Sequence, residues 1–297
     1  MSQEIQQSEV RYRPAGAEDV PMMADLWLTS VQDMFARNNV SGTLPPREIM
    51  LRGYEHVRST GVFRIAESDQ RVVAIAGAIL RDDIWFLSGF WALPGLQRSG
   101  IGMPLLRQVW QEGRNAGATK FCTWSSVDIT AMASYMKLGM LPGYEILLFE
   151  GAPQRLPAVP SGCTTQPLDK TLTSELDPLV WGAQRRVDHD LWSDTFGFMG
   201  RQVLRNEQPI GYYYLNRGGI GPAAWKEPEH GKAVMTLACR EAADMAPAIR
   251  FAVPGINHLA LRFAFESSLR LTSFAHFLTT STFGRMGQYL PSSPLLL

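Results

Sequence analysis

The chain has 297 residues, 45% hydrophobic and 19% charged, which is large for one compact core, comfortable for two, and unlike a disordered polymer. Its 28 basic and 28 acidic side chains balance, so no overall field draws nucleic acid or an anionic membrane, and neither is expected as a partner. Three widely spaced cysteines (Cys122, Cys163, Cys239) fit neither a disulfide framework nor a zinc site; with no signal-peptide pattern in MSQEIQQSEV and no apolar run of membrane length, a cytoplasmic, metal-free protein is expected.

After the polar tail, Val10-Tyr12 reads as a short strand. Ala17-Glu18-Asp19 opens a helix with carboxylates in its first turn. Met22, Met23, Leu26, Trp27, Val31 and Phe35 then recur at helical spacing, and Asn38-Asn39 and Ser41-Gly42 stop the helix. A second helix is predicted from about Pro46 to Arg58. Phe63–Ala66, Val72–Leu80 and Ile84–Leu93 read as an antiparallel meander with turns at Ser68-Asp69-Gln70 and Arg81-Asp82-Asp83. A glycine-containing loop and a helix follow. Next come a strand at Phe121–Trp124, a helix over Ile129–Leu138 and a strand over Tyr144–Phe149.

Residues 151–163 carry three prolines, at 153, 157 and 160, and read as a linker. Beyond it the grammar repeats weakly. Helical stretches are predicted over about Leu172–Arg186, paired strands over Met199–Leu204 and Ile210–Leu215, a helix over Gly231–Met245, a strand over Ile249–Val253 and a helix opening near Asn257. The fold class expected is α/β of the α+β type. It has two similar domains, 1–150 and 164–297, each a mixed, largely antiparallel sheet flanked by helices.

The chemistry concentrates in Gln97-Arg98-Ser99-Gly100-Ile101-Gly102. A strand ends at Pro94, two glycines let the backbone approach a bulky anion, and an apolar helix begins at once. The helix N-terminus, including the Met103 N–H, offers unpaired donors and positive potential. Together these form a pyrophosphate cradle, to which Gln97, Arg98 and Ser99 add side-chain donors. A dinucleotide fold would need a small residue at position 105, which is leucine, and a Walker loop would need Gly-Lys-Ser/Thr.

The run Gln97–Gly102 and the pair Leu105-Leu106 resemble the signature loop of the GNAT N-acetyltransferase superfamily. The second landmark of that family is similar to Asp128-x-x-Ala131-x-x-x-Tyr135-x-x-x-Gly139-Met140, with Asp in place of the usual Asn and Met in place of Phe. The resemblance covers about residues 10–150. It implies an acyl-CoA, foremost acetyl-CoA, as acyl donor, and direct transfer of the acyl group to a primary amine. It implies that Trp91, Ala92 and Leu93 pair their backbone with the pantetheine arm. It also implies that a main-chain N–H near Leu93 polarises the thioester carbonyl, that Tyr135 protonates the departing thiolate, and that Asp128 lines the cofactor arm. Non-catalytic acyl-CoA sensing is the alternative.

No general base stands out. Glu67, Asp82 and Asp83 flank the meander, the last two reading as solvated turn residues. In the second half, Asn257-x-x-Ala260 is similar to the helix landmark, but Ala264 stands where Tyr135 stood and the phosphate loop is missing. The resemblance is thus to a tandem acetyltransferase whose C-terminal half is a degenerate copy, binding no coenzyme A and serving as an acceptor wall or a homodimer surface. Asp188-His189-Asp190 reads as a capping Asp beside a surface His. Tyr212, Tyr213, Tyr214 and Trp192 read as core packing, with Tyr213 facing opposite its neighbours. Cys122 reads as a small buried apolar residue.

Overall fold

The computed structural model describes residues 10–40, 42 and 44–297; the tail at 1–9 and the predicted stop residue Ser41 lie outside the described residues. Thirteen strands and eight α-helices occur among the described residues, in the α/β class expected. By density of contact the chain divides into two compact units. One contains the residues up to Thr123 and Asp128–Gly139, the other Trp124–Val127 and Met140–Leu297.

The first unit runs β1 (Arg11–Pro14), α1 (Val20–Asn38), α2 (Arg47–Thr60), β2 (Gly61–Ser68), β3 (Arg71–Arg81), β4 (Ile84–Ala92), α3 (Gly102–Asn115), β5 (Lys120–Ser125) and α4 (Ile129–Met136). Asp19 organises the start of α1: its carboxylate accepts from the Gly16 N–H at 2.7 Å and pairs with Arg13 at 2.6 Å. Asn39 ends the helix in the left-handed conformation, φ 52°, which asparagine tolerates better than most residues. β1 to β4 pair antiparallel in sequence order, and β4 pairs β5 in parallel. A parallel pair needs a crossover, and α3 supplies it. β3 and β4 are buried along most of their length, so both read as near-continuous apolar runs. Leu105, Leu106 and Val109 of α3 are fully buried.

The second unit contains β6 (Leu141–Gly151), β7 (Cys163–Pro167), α5 (Lys170–Val180), α6 (Arg186–Asp190), β8 (Met199–Arg205), β9 (Gln208–Asn216), β10 (Gly219–Trp225), α7 (Gly231–Met245), β11 (Ile249–Pro254), α8 (His258–Glu266), β12 (Arg270–Thr279) and β13 (Tyr289–Leu290). β7 to β10 form the antiparallel meander, β10 pairs β11 in parallel, and α7 is the crossover. The grammar of the first unit therefore recurs.

At the level of the elements, the structure refines the sequence reading at three points. β6, expected to close the first domain, pairs on its two edges with β11 and β12, so the division of the chain falls ahead of β6 rather than at the proline segment. Backbone pairing is generic, and apolar alternation says nothing about which strand will be the neighbour. Second, the helical stretches expected over Leu172–Arg186 resolve into α5 and α6, separated by residues 181–185, with α6 running on to Asp190. Third, β10 (Gly219–Trp225), absent from the predicted elements, pairs β9 with Ala223 opposite Tyr213 and Ala224 opposite Tyr212. No described helix is long and apolar enough to cross a membrane.

Candidate functional site

The end of β4 is shaped by a bulge. Leu87 stands opposite Ala78 and Gly89 opposite Gly77, leaving Ser88 without a counterpart in β3. The parallel register with β5 runs from Ile84–Lys120 to Leu87–Thr123, and Ser88–Ala92 extend beyond it. A bulge bends its strand at such a point of divergence.

The ladder decides which backbone groups of β4 are spent. Opposed residues in an antiparallel pair alternate between exchanging hydrogen bonds and not doing so. The Leu93 N–H donates to the Val73 carbonyl at 3.0 Å, so Trp91, opposite Ile75, also bonds toward β3. Phe90 and Ala92, opposite Ala76 and Ala74, turn their N–H and C=O groups to the other edge of β4. The Ala92 carbonyl there accepts from Ser30 Oγ at 3.0 Å. This corrects the sequence expectation: the Leu93 N–H is held in the sheet and cannot polarise a carbonyl, while those of Phe90 and Ala92 face the edge where a donor could lie.

The loop after β4 has the geometry of an anion cradle. Gly100 adopts φ 91°, with no atom within 4 Å of where a Cβ would stand. Gly102 is different: a Cβ there would come within 2.9 Å of the Phe90 ring, so glycine lets α3 start tight against β4. Ile101, the N-cap of α3, makes no side-chain capping bond, which leaves the Gly102 and Met103 N–H groups of the first turn for a ligand. Pro104 has no N–H and costs nothing there. Tyr12 Oη braces the turn by donating to the Ile101 carbonyl at 3.1 Å.

The three side chains expected as phosphate donors all have partners. Ser99 Oγ donates to the Leu96 carbonyl at 2.6 Å, Gln97 Nε2 to Asp33 Oδ2 at 3.3 Å, and Arg98 Nη2 to Thr130 Oγ1 at 3.3 Å. Arg37 on α1 links Asp33 at 2.7 Å and Asp128 at 3.2 Å. The Arg37 guanidinium, aided by Gln97, holds the Asp33 carboxyl below the usual carboxylate range against the opposing effect of burial.

Asp128 caps α4. Its Oδ1 accepts from the Thr130 N–H at 2.8 Å and the Ala131 N–H at 3.2 Å, and its other oxygen faces Arg37. Aspartate and asparagine serve equally as caps, so this departure from the asparagine of the resembling family keeps the helix start. Tyr135 is buried on α4, its ring edge-on to Phe90 at 6.1 Å between centroids. Burial, with a smaller effect from the Asp128 charge, raises its hydroxyl pKa well above the ordinary tyrosine value. The hydroxyl therefore stays protonated at neutral pH, as a proton donor requires. Phe90 thus touches both the start of α3 and Tyr135.

The carboxylates considered as bases are placed elsewhere. Glu67 pairs with Arg13 at 2.8 Å. Asp83 pairs with Lys120 at 2.9 Å and accepts from Thr119. Asp82 and Asp83 sit at the opposite end of β4 from Ala92, roughly 25–30 Å away at strand rise. Cys122 is buried, its thiol donating to the Trp85 carbonyl at 3.5 Å.

In the second unit, His189 is not a surface residue. It is buried, with Nε2 2.7 Å from Asp177 Oδ2 and Nδ1 2.9 Å from the Tyr214 hydroxyl. Tyr212 Oη donates to Asp177 Oδ1 at 2.6 Å, and Arg185 Nε lies 3.2 Å from Asp177 Oδ2. The guanidinium is also stacked near Trp181, Trp192 and Tyr289. Tyr213 faces the opposite side of β9, toward Glu241, as strand alternation predicts. No group of three or more His, Cys, Asp or Glu side chains that could hold a metal ion occurs among the described residues.

Sequence reasoning missed Ser30, Asp33, Arg37, Thr130 and the Asp177–Arg185 cluster. Apart from the i,i+4 pair of Asp33 and Arg37, their contacts span 8 to 91 positions of the chain, and no local motif marks them.

Residues 28–140 match the model of the acetyltransferase (GNAT) family. No curated protein matches the chain. Several solved structures share its fold at low identity. A Pyrococcus horikoshii chain named as an acetyltransferase aligns at 15% identity and a TM-score of 0.77, covering 100% of this chain and 99% of its own. A tandem GNAT protein from the clavulanic acid biosynthesis pathway aligns at 16% and 0.63, over 91% of this chain and 98% of its own. A GCN5-related N-acetyltransferase from Sphaerobacter thermophilus aligns at 14% and 0.62, over 91% and 95%.

Proposed function

Because residues 28–140 match the model of the acetyltransferase (GNAT) family, we propose that the chain is an acyl-CoA-dependent N-acyltransferase, with acetyl-CoA as donor, working through its first unit. The observation that carries this is the conjunction at Phe90. One residue presents a backbone N–H to the open edge of β4, packs on the start of the uncapped helix α3, and stands against the protonated Tyr135.

Coenzyme A would supply a thioester, whose acyl carbon an amine can attack. The α3 N-terminus and Gly100 fit its pyrophosphate, with Gln97 and Arg98 exchanging their present partners for phosphate oxygens. Ala92 offers strand-type pairing to the pantetheine arm. The acid and the oxyanion donor must act on the same thioester, so the donor is assigned to the Phe90 N–H, on the residue whose ring packs against Tyr135, and not to that of Leu93. As the C–N bond forms and the C–S bond breaks, Phe90 holds the carbonyl oxygen and Tyr135 gives its proton to sulfur. The proton shed by the amine passes to water. Asp128 keeps α4, and hence Tyr135, in place.

Titration with acetyl-CoA, followed by coenzyme A release across a panel of amines, tests the proposal. Absence of binding at millimolar donor would sink it. The rival reading, donor binding without turnover, draws support from the pairing of Glu67 and the remoteness of Asp82 and Asp83; tight binding with no release from any amine would favour it.

A further inference from the structure

The second unit repeats the construction of the first at its strand divergence. β10 carries a bulge between Ile220 and Ala223, and its parallel register with β11 is the Gly219–Arg250 pair. Asn257 caps α8 through Oδ1, accepting from the Ala260 N–H at 3.1 Å, as Asp128 caps α4. Past the bulge, however, β10 is not open. β13 lies along it antiparallel, Leu290 opposite Ala223 and Tyr289 opposite Ala224.

The segment is held by groups that belong to such a slot. The Asn257 side-chain amide donates to the Tyr289 carbonyl at 3.1 Å. Gln288 Nε2 donates to the Trp225 and Lys226 carbonyls at 2.9 and 2.7 Å, closing the end of β10. Gly221 has φ 134°, and a Cβ there would meet the Pro291 carbonyl oxygen at 2.5 Å, so the backbone of the segment passes directly over the bulge. Met286, Tyr289, Leu290, Leu295, Leu296 and Leu297 are buried. The Tyr289 hydroxyl accepts from Arg185 at 2.8 Å and donates to the Leu297 carbonyl at 2.7 Å.

We propose that the second unit is a peptide-binding site that accepts an extended strand, and that its resident ligand is the chain's own segment 286–297. The segment lies where the first unit is read as taking the pantetheine arm; only that comparison rests on the proposed function, since the peptide contacts stand on the second unit alone. Recognition is by strand pairing to Ala223 and Ala224, by the Asn257 amide, and by apolar pockets for Tyr289, Leu290 and the leucines at 295–297. A main-chain carbonyl and a pantetheine carbonyl ask the same of an asparagine amide. The residue type that resembles the cofactor landmark thus persists at 257 while serving a peptide.

The test uses the full chain with a protease site inserted between Ser281 and Thr282, both exposed. After cleavage, the 282–297 fragment is expected to co-elute with the folded body and to exchange with a fluorescent synthetic copy of itself. N-methylation of the copy at both Tyr289 and Leu290 removes whichever of these two N–H groups donates to β10, since adjacent residues of a strand alternate in direction. Asn257→Asp removes the amide donor but keeps the cap. Each is expected to speed loss of the labelled peptide about tenfold, the scale of a lost hydrogen bond or two. Equal retention of the N-methylated copy, or no effect of Asn257→Asp, would overturn the proposal. So would release of the fragment from a body that keeps its far-UV dichroism, or unfolding of the body on cleavage, which would make the segment core rather than ligand. Acetyl-CoA is absent throughout, so failure of the first-unit reading leaves this outcome unaffected.

Discussion

Arg37 Nη1 lies 3.2 Å from Asp128 Oδ2, across 91 positions of sequence. The contact explains how a carboxylate is accommodated beside the loop proposed to hold phosphates. One oxygen of Asp128 is spent on the two N–H groups that start α4, and the other faces a guanidinium that also holds Asp33. Asp128→Asn is expected to leave stability within about 0.5 kcal/mol, because the cap survives and the lost pair is partly exposed. Asp128→Ala is expected to cost about 1 kcal/mol. Urea unfolding of the two variants gives the comparison, and equal losses would remove the capping role.

At Gly102 the neighbour is the Phe90 ring, which links the loop, β4 and Tyr135. Gly102→Ala places a methyl 2.9 Å from the Phe90 ring and must displace it. Acetyl-CoA affinity is expected to fall about tenfold, close to 1.4 kcal/mol. Arg98→Ala is expected to cost a similar amount, as one charge-assisted bond would. Calorimetric titration measures both; unchanged affinity in the two variants would place the donor elsewhere.

For Tyr135 the expected signature is kinetic. Tyr135→Phe keeps the ring against Phe90 and removes only the hydroxyl, so kcat should fall about 100-fold or more with KM for acetyl-CoA retained. Burial and the Asp128 charge raise its pKa. The protonated form therefore persists through the ordinary tyrosine range near pH 10, and kcat should show no alkaline decline from this group below about pH 10. An ionisation near pH 8 that vanished in Tyr135→Phe would contradict this placement.

The two backbone groups at the end of β4 should separate in a semisynthetic chain carrying an ester for one amide. At Phe90 the ester removes a donor facing the open edge, and kcat is expected to drop about 100- to 1000-fold. At Leu93 it breaks the bond to Val73 and should cost about 1 kcal/mol of stability, with kcat largely kept. The reverse pattern would restore Leu93 as the oxyanion donor.

The buried network of the second unit should be sensitive to acid. Burial raises the Asp177 carboxyl, but Arg185, His189 and Tyr212 outweigh it and hold the pKa below the ordinary value. A depressed carboxylate contributes stability above its unfolded pKa, near 4, and loses it as pH falls through the folded value. Asp177→Asn leaves Arg185 buried without its counter-charge and should cost about 3–5 kcal/mol at neutral pH. The gap between variant and parent should narrow in acid below about pH 4. Thermal melts across that range check it, and a gap independent of pH would argue against an ionised Asp177.

The loop was legible because its requirements are local. A strand end, a glycine at positive φ and an uncapped helix start occupy consecutive residues, and Gln97 to Gly102 spell them in order. Tyr135 and the α4 cap were legible for the same reason, helical spacing from Asp128. The meander of the first unit and its repeat in the second follow from turn residues and from runs of apolar side chains. Leu93 was misplaced because only the ladder with β3 reveals which N–H groups are spent. His189 was misplaced because its partners come from α5 and β9, and the two carboxylates beside it suggested a surface.

Residue type and spacing therefore carry the α/β class, the repeated order of elements and the position of the glycine loop ahead of α3, since all three arise from contacts within a turn or two of chain. The tertiary structure decided which neighbours β6 would take, which backbone donors of β4 stay free, how Arg37 accommodates Asp128, and what fills the second slot. These are pairings between backbone groups that are chemically alike in every residue, or between side chains brought together from distant elements. Chain order cannot choose among such partners; packing and register do.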